Sequence, residues 1–193
     1  FYLDKTNKLY LYVNAGGERG PVHYQAHVEY GHFLQPESAF DKDTKVVWPI
    51  DNIPDVQGGL RRVREDNTLN HYTATCGQVI FRGDRLPENI RGDLLFSEPV
   101  GRLIRQLDIT EEDGLVKLTH PYHEKKQEFI RSSDPNFRVV NAKTAPDGTL
   151  YFVDMYRGII QQGNWTRPGS YLRGVIDQYG MSKVINHGRI WRL

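Results

Sequence analysis

The stretch FRVVNAKTAPDGTLYFVDMYRGIIQ, residues 137–161, decides the predicted fold because it contains strand patterns separated by turns. Residues 145–148, APDG, predict a turn, since Pro presets its φ, Asp bonds back to the backbone and Gly takes a positive φ. Residues 149–153 are rich in β-branched and aromatic side chains and predict a buried strand. Residues 154–158 predict a second turn, after which residues 159–160 are expected to begin the next strand. The polar residues after the buried strand mark the place where sites on β scaffolds tend to lie.

A second stretch repeats this pattern at a constant offset. GDLLFSEPVGRLI, residues 92–104, aligns with GTLYFVDMYRGII, residues 148–160, and the shared acid is Glu98 in one and Asp154 in the other. A repeated strand, polar turn and strand is typical of β-propeller blades, which stack because a small sheet cannot bury both faces alone. The alternative is two unrelated hairpins that share turn chemistry.

Other patterns extend this interpretation. Residues 8–14 alternate between apolar and other side chains and predict a strand, and residues 188–193 predict a last strand that completes the blade begun at Thr149. Residues 170–179 carry apolar side chains at helical spacing and predict a short inserted helix. At about 40–50 residues per blade, we expect residues 1–193 to form one all-β domain of about three to four propeller blades, an excerpt of a longer chain.

Shorter runs predict the strands of the first repeated unit. Residues 77–81, 93–97 and 102–107 are rich in apolar side chains and predict three strands. Residues 108–114 are acidic and end in Gly, which predicts a turn before an edge strand at residues 116–118.

Composition excludes several classes of function. The chain has 25 basic and 24 acidic residues, so no bulk charge indicates a nucleic acid or an anionic membrane as partner. No apolar stretch is long enough to predict a membrane-spanning helix, and the first residues show no signal-peptide pattern. The single cysteine, Cys76, excludes an internal disulfide and a Cys-x-x-Cys motif. Gly-rich phosphate loops and Gly-x-Ser-x-Gly elbows are absent from the sequence.

Two histidines suggest one metal site. On a helix, His23 and His27 would share a face at the i,i+4 spacing that a zinc site can use. The alternative is that they are packing or surface histidines of a loop.

A basic cluster, LRRVR at residues 60–64, suggests a second kind of site. Arginines that face a cavity bind carboxylates in a bidentate manner. The alternative is that these arginines are solvated or paired with Glu65 and Asp66.

Polar side chains are predicted to converge at the ends of the repeated strands. They would either bind a polar ligand near a central channel or pair with one another and join the blades. They are Glu98, Arg138, Asn141, Asp154, Tyr156 and Arg157. Glu98 and Asp154 carry the oxygen ligands that a calcium ion prefers. Asp154, Tyr156 and His71 are the predicted catalytic residues, and His71 is the candidate general base because the ordinary pKa of histidine lies near neutrality.

The order of these parts resembles a known family. Residues 71–109 and 137–158 are similar to the glucose/sorbosone dehydrogenase group of six-bladed β-propellers. The resemblance is closest to the bacterial, planctomycete-type membrane-bound dehydrogenase domain proteins. Phrases like WTRPGSYLR, residues 165–173, and HGRIWRL, residues 187–193, typically end the propeller there. The resemblance covers residues 46–193, and it implies that the chain is the C-terminal part of such a propeller.

This resemblance implies an oxidoreductase that uses a quinone rather than NAD. It would oxidise a sugar or other alcohol and pass electrons to a c-type cytochrome domain of the full-length chain, in the periplasm, the cell envelope or outside the cell. The implied cofactor is pyrroloquinoline quinone, and Arg138 matches one of the arginines that hold it. The resemblance also places Tyr72 or Thr73 near a hydroxyl contact. The strand-end residues Asn141 and Arg157 are the remaining predicted cofactor-binding residues.

The sequence departs from that family at the quinone site. Val140 stands where the second arginine is expected, and Pro99 and Val100 stand where a lysine is expected. Each buried charge partner lost weakens binding by roughly 2–5 kcal/mol, so the residues predict weak quinone binding. The alternative function is a non-catalytic ligand- or protein-binding propeller scaffold.

Overall fold

A computed structural model describes the second half of the chain and parts of the first half. It describes residues 2–3, 9–14, 21–25, 46–50, 63–66, 68–70, 72, 74–112, 115–160 and 163–193, of which 2–3, 9–14, 21–25, 112 and 115–116 by backbone alone. Within these ranges, antiparallel strands dominate and one α-helix is present. The predicted all-β class is confirmed.

The first sheet has three antiparallel strands in the order β1-β2-β3. They are β1 (Tyr2–Leu3), β2 (Leu9–Asn14) and β3 (Pro21–Gln25). The strand predicted around β2 is confirmed. His23 lies in β3, so the prediction that it lies on a helix is wrong. His27, its predicted partner, lies outside the described residues.

The second sheet contains the first repeated unit. Its strands are β4 (Cys76–Ile80), β5 (Leu94–Glu98), β6 (Leu103–Glu112), β7 (Leu115–Thr119) and β8 (Ile130–Arg131). The order is β4-β5-β6-β7, and β8 pairs with the first residues of β6. Because β6 is long, it pairs with β5 and β8 at its start and with β7 at its end.

The predicted acidic turn at residues 108–114 is wrong for its first five positions. Asp108 pairs with Thr119, and the ladder continues to the end of β6. Ile109 is buried in the same cluster as Leu118, which gives this stretch an inward-facing side chain. Tertiary pairing therefore overrides the weak strand preference of the acidic residues. Residues 113–114 lie outside the described part.

The third sheet contains the second repeated unit, in the order β11-β10-β9. Its strands are β9 (Val139–Thr144), β10 (Leu150–Asp154) and β11 (Arg189–Arg192). The prediction that the last strand completes this sheet is confirmed by the antiparallel pairing of β10 with β11. The strand expected to begin at residues 159–160 is wrong, because these residues have no strand pairing and the third strand comes from residues much further along.

A short helix lies between β10 and β11 and confirms the insertion predicted at residues 170–179. Helix α1 (Tyr171–Gln178) begins at Ser170, whose hydroxyl oxygen accepts a hydrogen bond from the Arg173 amide at 3.2 Å. Gly158 fixes the position of this insertion, since a Cβ there would overlap the backbone of Met181. The apolar side chains of the insertion pack together, and they are Leu172, Val175, Ile176 and Met181.

The second sheet is covered on both faces. The face toward the third sheet forms an apolar cluster whose members include Val79, Leu95, Ile104, Val139, Ala142, Leu150 and Phe152. The opposite face packs in a second cluster whose members include Val47, Leu69, Tyr72, Leu94, Phe96, Leu103 and Leu107. Each fully buried large apolar side chain contributes roughly 1.5–3 kcal/mol, so the two clusters are the main source of stability.

The second and third sheets come into contact where β4 passes β9. A Cβ at Gly77 would overlap the carbonyl oxygen of Val140 and the Cα of Asn141, and Gly77 has a φ of 59°. A glycine is required here because any side chain would separate the two backbones. β4 and β9 are thus in direct backbone contact.

Candidate functional site

The two repeated acids hold the turns that follow β5 and β10. Glu98 Oε1 accepts a hydrogen bond from the Val100 amide at 3.0 Å, and Asp154 Oδ1 accepts one from the Tyr156 amide at 2.8 Å. Glu98 Oε2 also accepts from the Ala74 amide at 2.9 Å. Both acids are fully buried. They satisfy backbone donors that would otherwise be buried without a partner.

Asp154 also ties its turn to the neighbouring strands. Its Oδ1 accepts from the Arg138 amide at 2.7 Å, and its Oδ2 accepts from Trp191 Nε1 at 3.1 Å. Each carboxylate oxygen of Glu98 and Asp154 therefore accepts a hydrogen bond from an N–H group. A calcium ion at these oxygens would have to replace those N–H donors. No cluster of three or more potential metal ligands occurs among the described residues. The predicted calcium ion finds no suitable donor set in these two acids.

Arg138 joins the two repeated turns through the interior. Its Nη1 donates to the carbonyls of Pro99 at 2.8 Å and Val100 at 3.1 Å, both in the turn after β5. Its Nε donates to the Arg157 carbonyl at 3.2 Å and its Nη2 to the Gly158 carbonyl at 3.0 Å, both in the turn after β10. The side chain is fully buried. A guanidinium that faces four backbone carbonyls does not fit the role of holding quinone carboxylates.

Tyr156 lies at the surface of the second turn in a strained conformation. Its φ is 43°, a region that bulky residues rarely adopt. The Arg189 guanidinium lies 3.5 Å from the centroid of its ring, and a hydrogen bond to Asp134 raises the pKa of the Tyr156 phenol. The hydrogen bond from the Tyr156 amide to the Asp154 carboxylate holds this strained backbone conformation in place.

The side chains of the other predicted site residues lie in different parts of the structure. Arg157 has an exposed side chain and lines a cleft of about 300 Å³ together with Met155, Ile159 and Ile160. Asn141 is exposed on β9, whereas Tyr72 is buried and its pKa is raised by burial. His71 and Thr73 lie outside the described residues.

Sequence reasoning did not locate a second cleft, which has a volume of about 450 Å³. It lies beside β8, and we call it the basic cleft. Its polar and aromatic lining consists of Trp48, Arg64, Asp66, Thr68, Lys126 and Arg131. Arg131 Nη1 donates to the Trp48 carbonyl at 3.2 Å, which fixes one wall. The volume lies in the range of small-molecule sites in proteins, about 300–1,000 Å³.

The Trp48 ring is flanked by cations. The Arg64 guanidinium lies 4.4 Å from the ring centroid and the Lys126 ammonium 5.6 Å, both within cation–π distance. Arg64 is held by the protein backbone, since Nη1 donates to the Leu69 carbonyl at 2.5 Å and Nη2 to the Val47 carbonyl at 2.6 Å. The basic cluster predicted at residues 60–64 thus contributes one arginine to a cleft.

Positive charge exceeds negative charge in the basic cleft. Among the residues that the structure describes, the lining contains three cations, Arg64, Lys126 and Arg131, and one acid, Asp66, which is an excess of two positive charges. Asp66 accepts hydrogen bonds from the amide of Thr68 at 2.9 Å and its hydroxyl at 2.7 Å, and these lower the pKa of Asp66. Burial lowers the pKa of Arg64, although Asp66 and Glu128 oppose this effect.

A buried ion pair lies close to the basic cleft. Arg105 Nε and Nη2 donate to the two oxygens of Glu128 at 2.5 Å each, and Glu128 Oε1 also accepts from the Trp48 amide at 2.8 Å. His120 Nε2 is 3.8 Å from Glu128 Oε2. Burial, followed by the nearby Arg105 and His123, lowers the pKa of His120 to about 3. The position of Arg105 inside an apolar strand indicates that an acid lies nearby, but the sequence does not identify Glu128 as that acid.

The described residues define an all-β class of protein in which two antiparallel sheets pack on each other. No helix in the described part of the chain is long and apolar enough to cross a membrane. The chain matches the family described as Domain of unknown function (DUF7133) over residues 3–193 and belongs to that family. No curated protein and no solved structure matches it. The dehydrogenase resemblance, the quinone and the cellular location stay predictions.

Proposed function

We propose that this chain forms blades of a β-propeller that serves as a non-catalytic binding scaffold. The propeller arrangement is supported by the repeat, which places one unit in each of two neighbouring sheets. It is also supported by the contact of β4 with β9 at Gly77, since radial sheets approach most closely at their inner strands. Under this proposal, the repeated strand-end residues hold the blades together.

The hydrogen bonding of Arg138 is the observation that carries the non-catalytic role. Its guanidinium links Pro99 and Val100 of one turn to Arg157 and Gly158 of the other. A fully buried cation bonded in this way stabilises a junction and is costly to redirect toward a ligand. Of the cationic groups implied by the dehydrogenase resemblance, this is the one that the sequence retains.

A dehydrogenase of a sugar or other alcohol is the second candidate. One observation favours it: Tyr156 has a strained backbone beside Arg157, whose exposed side chain lines a cleft. Strain of this kind clusters at functional sites. In that case electrons would pass through a quinone to a c-type cytochrome domain of the full-length protein, in the periplasm or cell envelope.

A titration of the full-length protein with pyrroloquinoline quinone tests the proposal. Absorbance is followed with and without calcium, and sugar-dependent dye reduction is measured in the same samples. We expect neither saturable quinone binding nor dye reduction. Stoichiometric quinone binding with dye reduction that Tyr156→Phe or Arg157→Gln abolishes would overturn the scaffold proposal. Arg192→Gln, which removes an exposed arginine on β11, is the matched control.

A further inference from the structure

We propose that the basic cleft binds a doubly charged oxyanion, such as the phosphate group of a small molecule. This inference deepens the proposed binding function and rests on it, because a binding scaffold needs a ligand site and the buried strand-end groups do not provide one. The cleft was defined above by Trp48, Arg64, Asp66, Thr68, Lys126 and Arg131.

The charge of the cleft selects for a dianion. Among the described lining residues, three cations accompany one acid, and this excess of two positive charges matches the charge of a phosphate ester near neutral pH. A cleft whose walls carry one sign of charge concentrates the opposite ion. Arg131 and Lys126 differ in geometry, since a planar guanidinium binds two oxygens at once and an ammonium acts as a point charge.

Nearby acids are already engaged by other groups. Asp66 accepts two hydrogen bonds from Thr68, and Glu128 is the bidentate partner of Arg105. Within the described part of the chain, the ion pairs include none between a carboxylate and either Lys126 or Arg131. These two cations therefore remain available to an anion that enters the cleft.

Two of the three cations, Arg64 and Arg131, are also held in place before any ligand arrives. Arg64 is anchored on the carbonyls of Val47 and Leu69, and Arg131 on those of Trp48 and Lys126. Fixed donors lose little conformational entropy when a ligand binds, which favours affinity. The two arginines are thus preorganised, whereas Lys126 is exposed.

Calorimetric titration of the full-length protein with inorganic phosphate tests this inference. We expect saturable binding that weakens as sodium chloride is raised from about 50 to 200 mM, because salt screens partly exposed charges. Phosphate is expected to bind at least about threefold more tightly than acetate, which carries one charge. Absence of saturable phosphate binding, or acetate binding that is equally tight, would overturn the assignment.

Two substitutions in the cleft should change affinity in opposite directions. Lys126→Gln is expected to weaken phosphate binding by about three- to tenfold, because one cation is lost. Asp66→Asn is expected to tighten binding by a few-fold, because it removes the opposing charge and keeps an acceptor for Thr68. Lys125→Gln is the matched control, since this exposed lysine lies in the same turn but is not part of the cleft lining.

The outcomes separate this inference from the scaffold proposal. Phosphate binding that depends on Lys126, together with quinone-dependent dye reduction, would keep the cleft and overturn the non-catalytic role. The absence of both activities would overturn the cleft and keep the scaffold. Equal phosphate affinity in the Lys126→Gln and Lys125→Gln proteins would also overturn the cleft, since it would place the anion elsewhere.

Discussion

In the turns that follow β5 and β10, a buried acid holds the turn in the same way, and we call this arrangement the acid clamp. The chain then continues differently after each turn. In both, a buried carboxylate accepts the amide two residues further along, from Glu98 to Val100 and from Asp154 to Tyr156. After the first turn the chain enters β6 at once, whereas after the second turn it forms helix α1 before returning as β11. The repeat therefore encodes a strand and its clamp, while the partner of that strand is set by tertiary pairing.

The two units also differ in how their central strands are covered. Every residue of β5 is buried, whereas buried and exposed residues alternate along β10. Leu95 and Tyr151 occupy the same position in the repeat, yet Leu95 is buried in the apolar cluster between the sheets and Tyr151 is 38% exposed. Equivalent sequence positions thus acquire different environments from their neighbours. The two units can be compared further by substituting the residues that hold their turns.

Substitution of Arg138 should disrupt both turns at once. Arg138→Met removes the donors to four carbonyls in the interior, so we expect the free energy of unfolding to fall by about 3–5 kcal/mol. Urea unfolding followed by circular dichroism measures this loss. Arg157→Met is the control, because its side chain is exposed and a change within about 0.5 kcal/mol is expected. A loss below about 1 kcal/mol for Arg138→Met would refute the proposed junction.

Removal of each repeated acid should measure the equivalence of the two clamps. Glu98→Ala and Asp154→Ala each leave buried amides without an acceptor, and we expect each to lower the free energy of unfolding by about 2–4 kcal/mol. Asp154→Ala should cost more, because it also releases Trp191 Nε1. Asp177→Ala, at an exposed acid of helix α1, is the control in the same urea experiment.

Equivalence of the clamps would be contradicted if either substitution cost no more than Asp177→Ala. That result would mean that the turn forms without its carboxylate. A Glu98→Gln protein, which keeps a side-chain oxygen, should recover part of the stability lost in Glu98→Ala.

The pH dependence of stability should depend on His120, which lies beside the buried Arg105–Glu128 pair of the second sheet. The third sheet, which contains β11, provides the comparison. The pKa of His120 in the folded protein is about 3, below the ordinary histidine value of 6.5, chiefly because the side chain is buried. Between these values the unfolded chain binds a proton that the folded protein does not. Stability should therefore fall as the pH is lowered from about 7 to 4, by up to about 1.4 kcal/mol per pH unit from this histidine.

Urea unfolding at pH 7, 6 and 5 measures that slope, and His120→Gln should reduce it. His187→Gln, at an exposed histidine just before β11, should leave the slope unchanged. If His120→Gln and the unsubstituted protein lost stability in parallel, His120 would have to accept a proton in the folded state.

Local sequence patterns predicted the features that depend on neighbours in sequence. The Asp147-Gly148 turn, the strands β5 and β10, helix α1 and the closing strand β11 were all predictable because each has a short-range signal. The same comparison showed that Glu98 and Asp154 are equivalent, and in the structure both acids hold the turn that follows their strand. By contrast, the continuation of β6 through Asp108 depends on pairing with β7, which no local signal specifies.

The basic cleft could not be predicted because distant segments form it. Trp48, Arg64 and Lys126 come from three separate parts of the chain and are brought together by tertiary packing. Arg64 was singled out as part of a basic cluster, but its cavity and its backbone anchors depend on tertiary packing. The Arg105–Glu128 pair was missed for the same reason, since its members are brought together across the sheet.

The pairing of β10 with β11 has a consequence for how the chain can vary. Asp154 and Arg189 are register partners, so the whole segment between them leaves the sheet and returns to the same place. Such a closed excursion can gain residues at low cost, because each doubling of loop length costs only about 0.6 kcal/mol in closure entropy. The segment around helix α1 is therefore a natural place to graft a peptide or a small domain without changing the register of the third sheet.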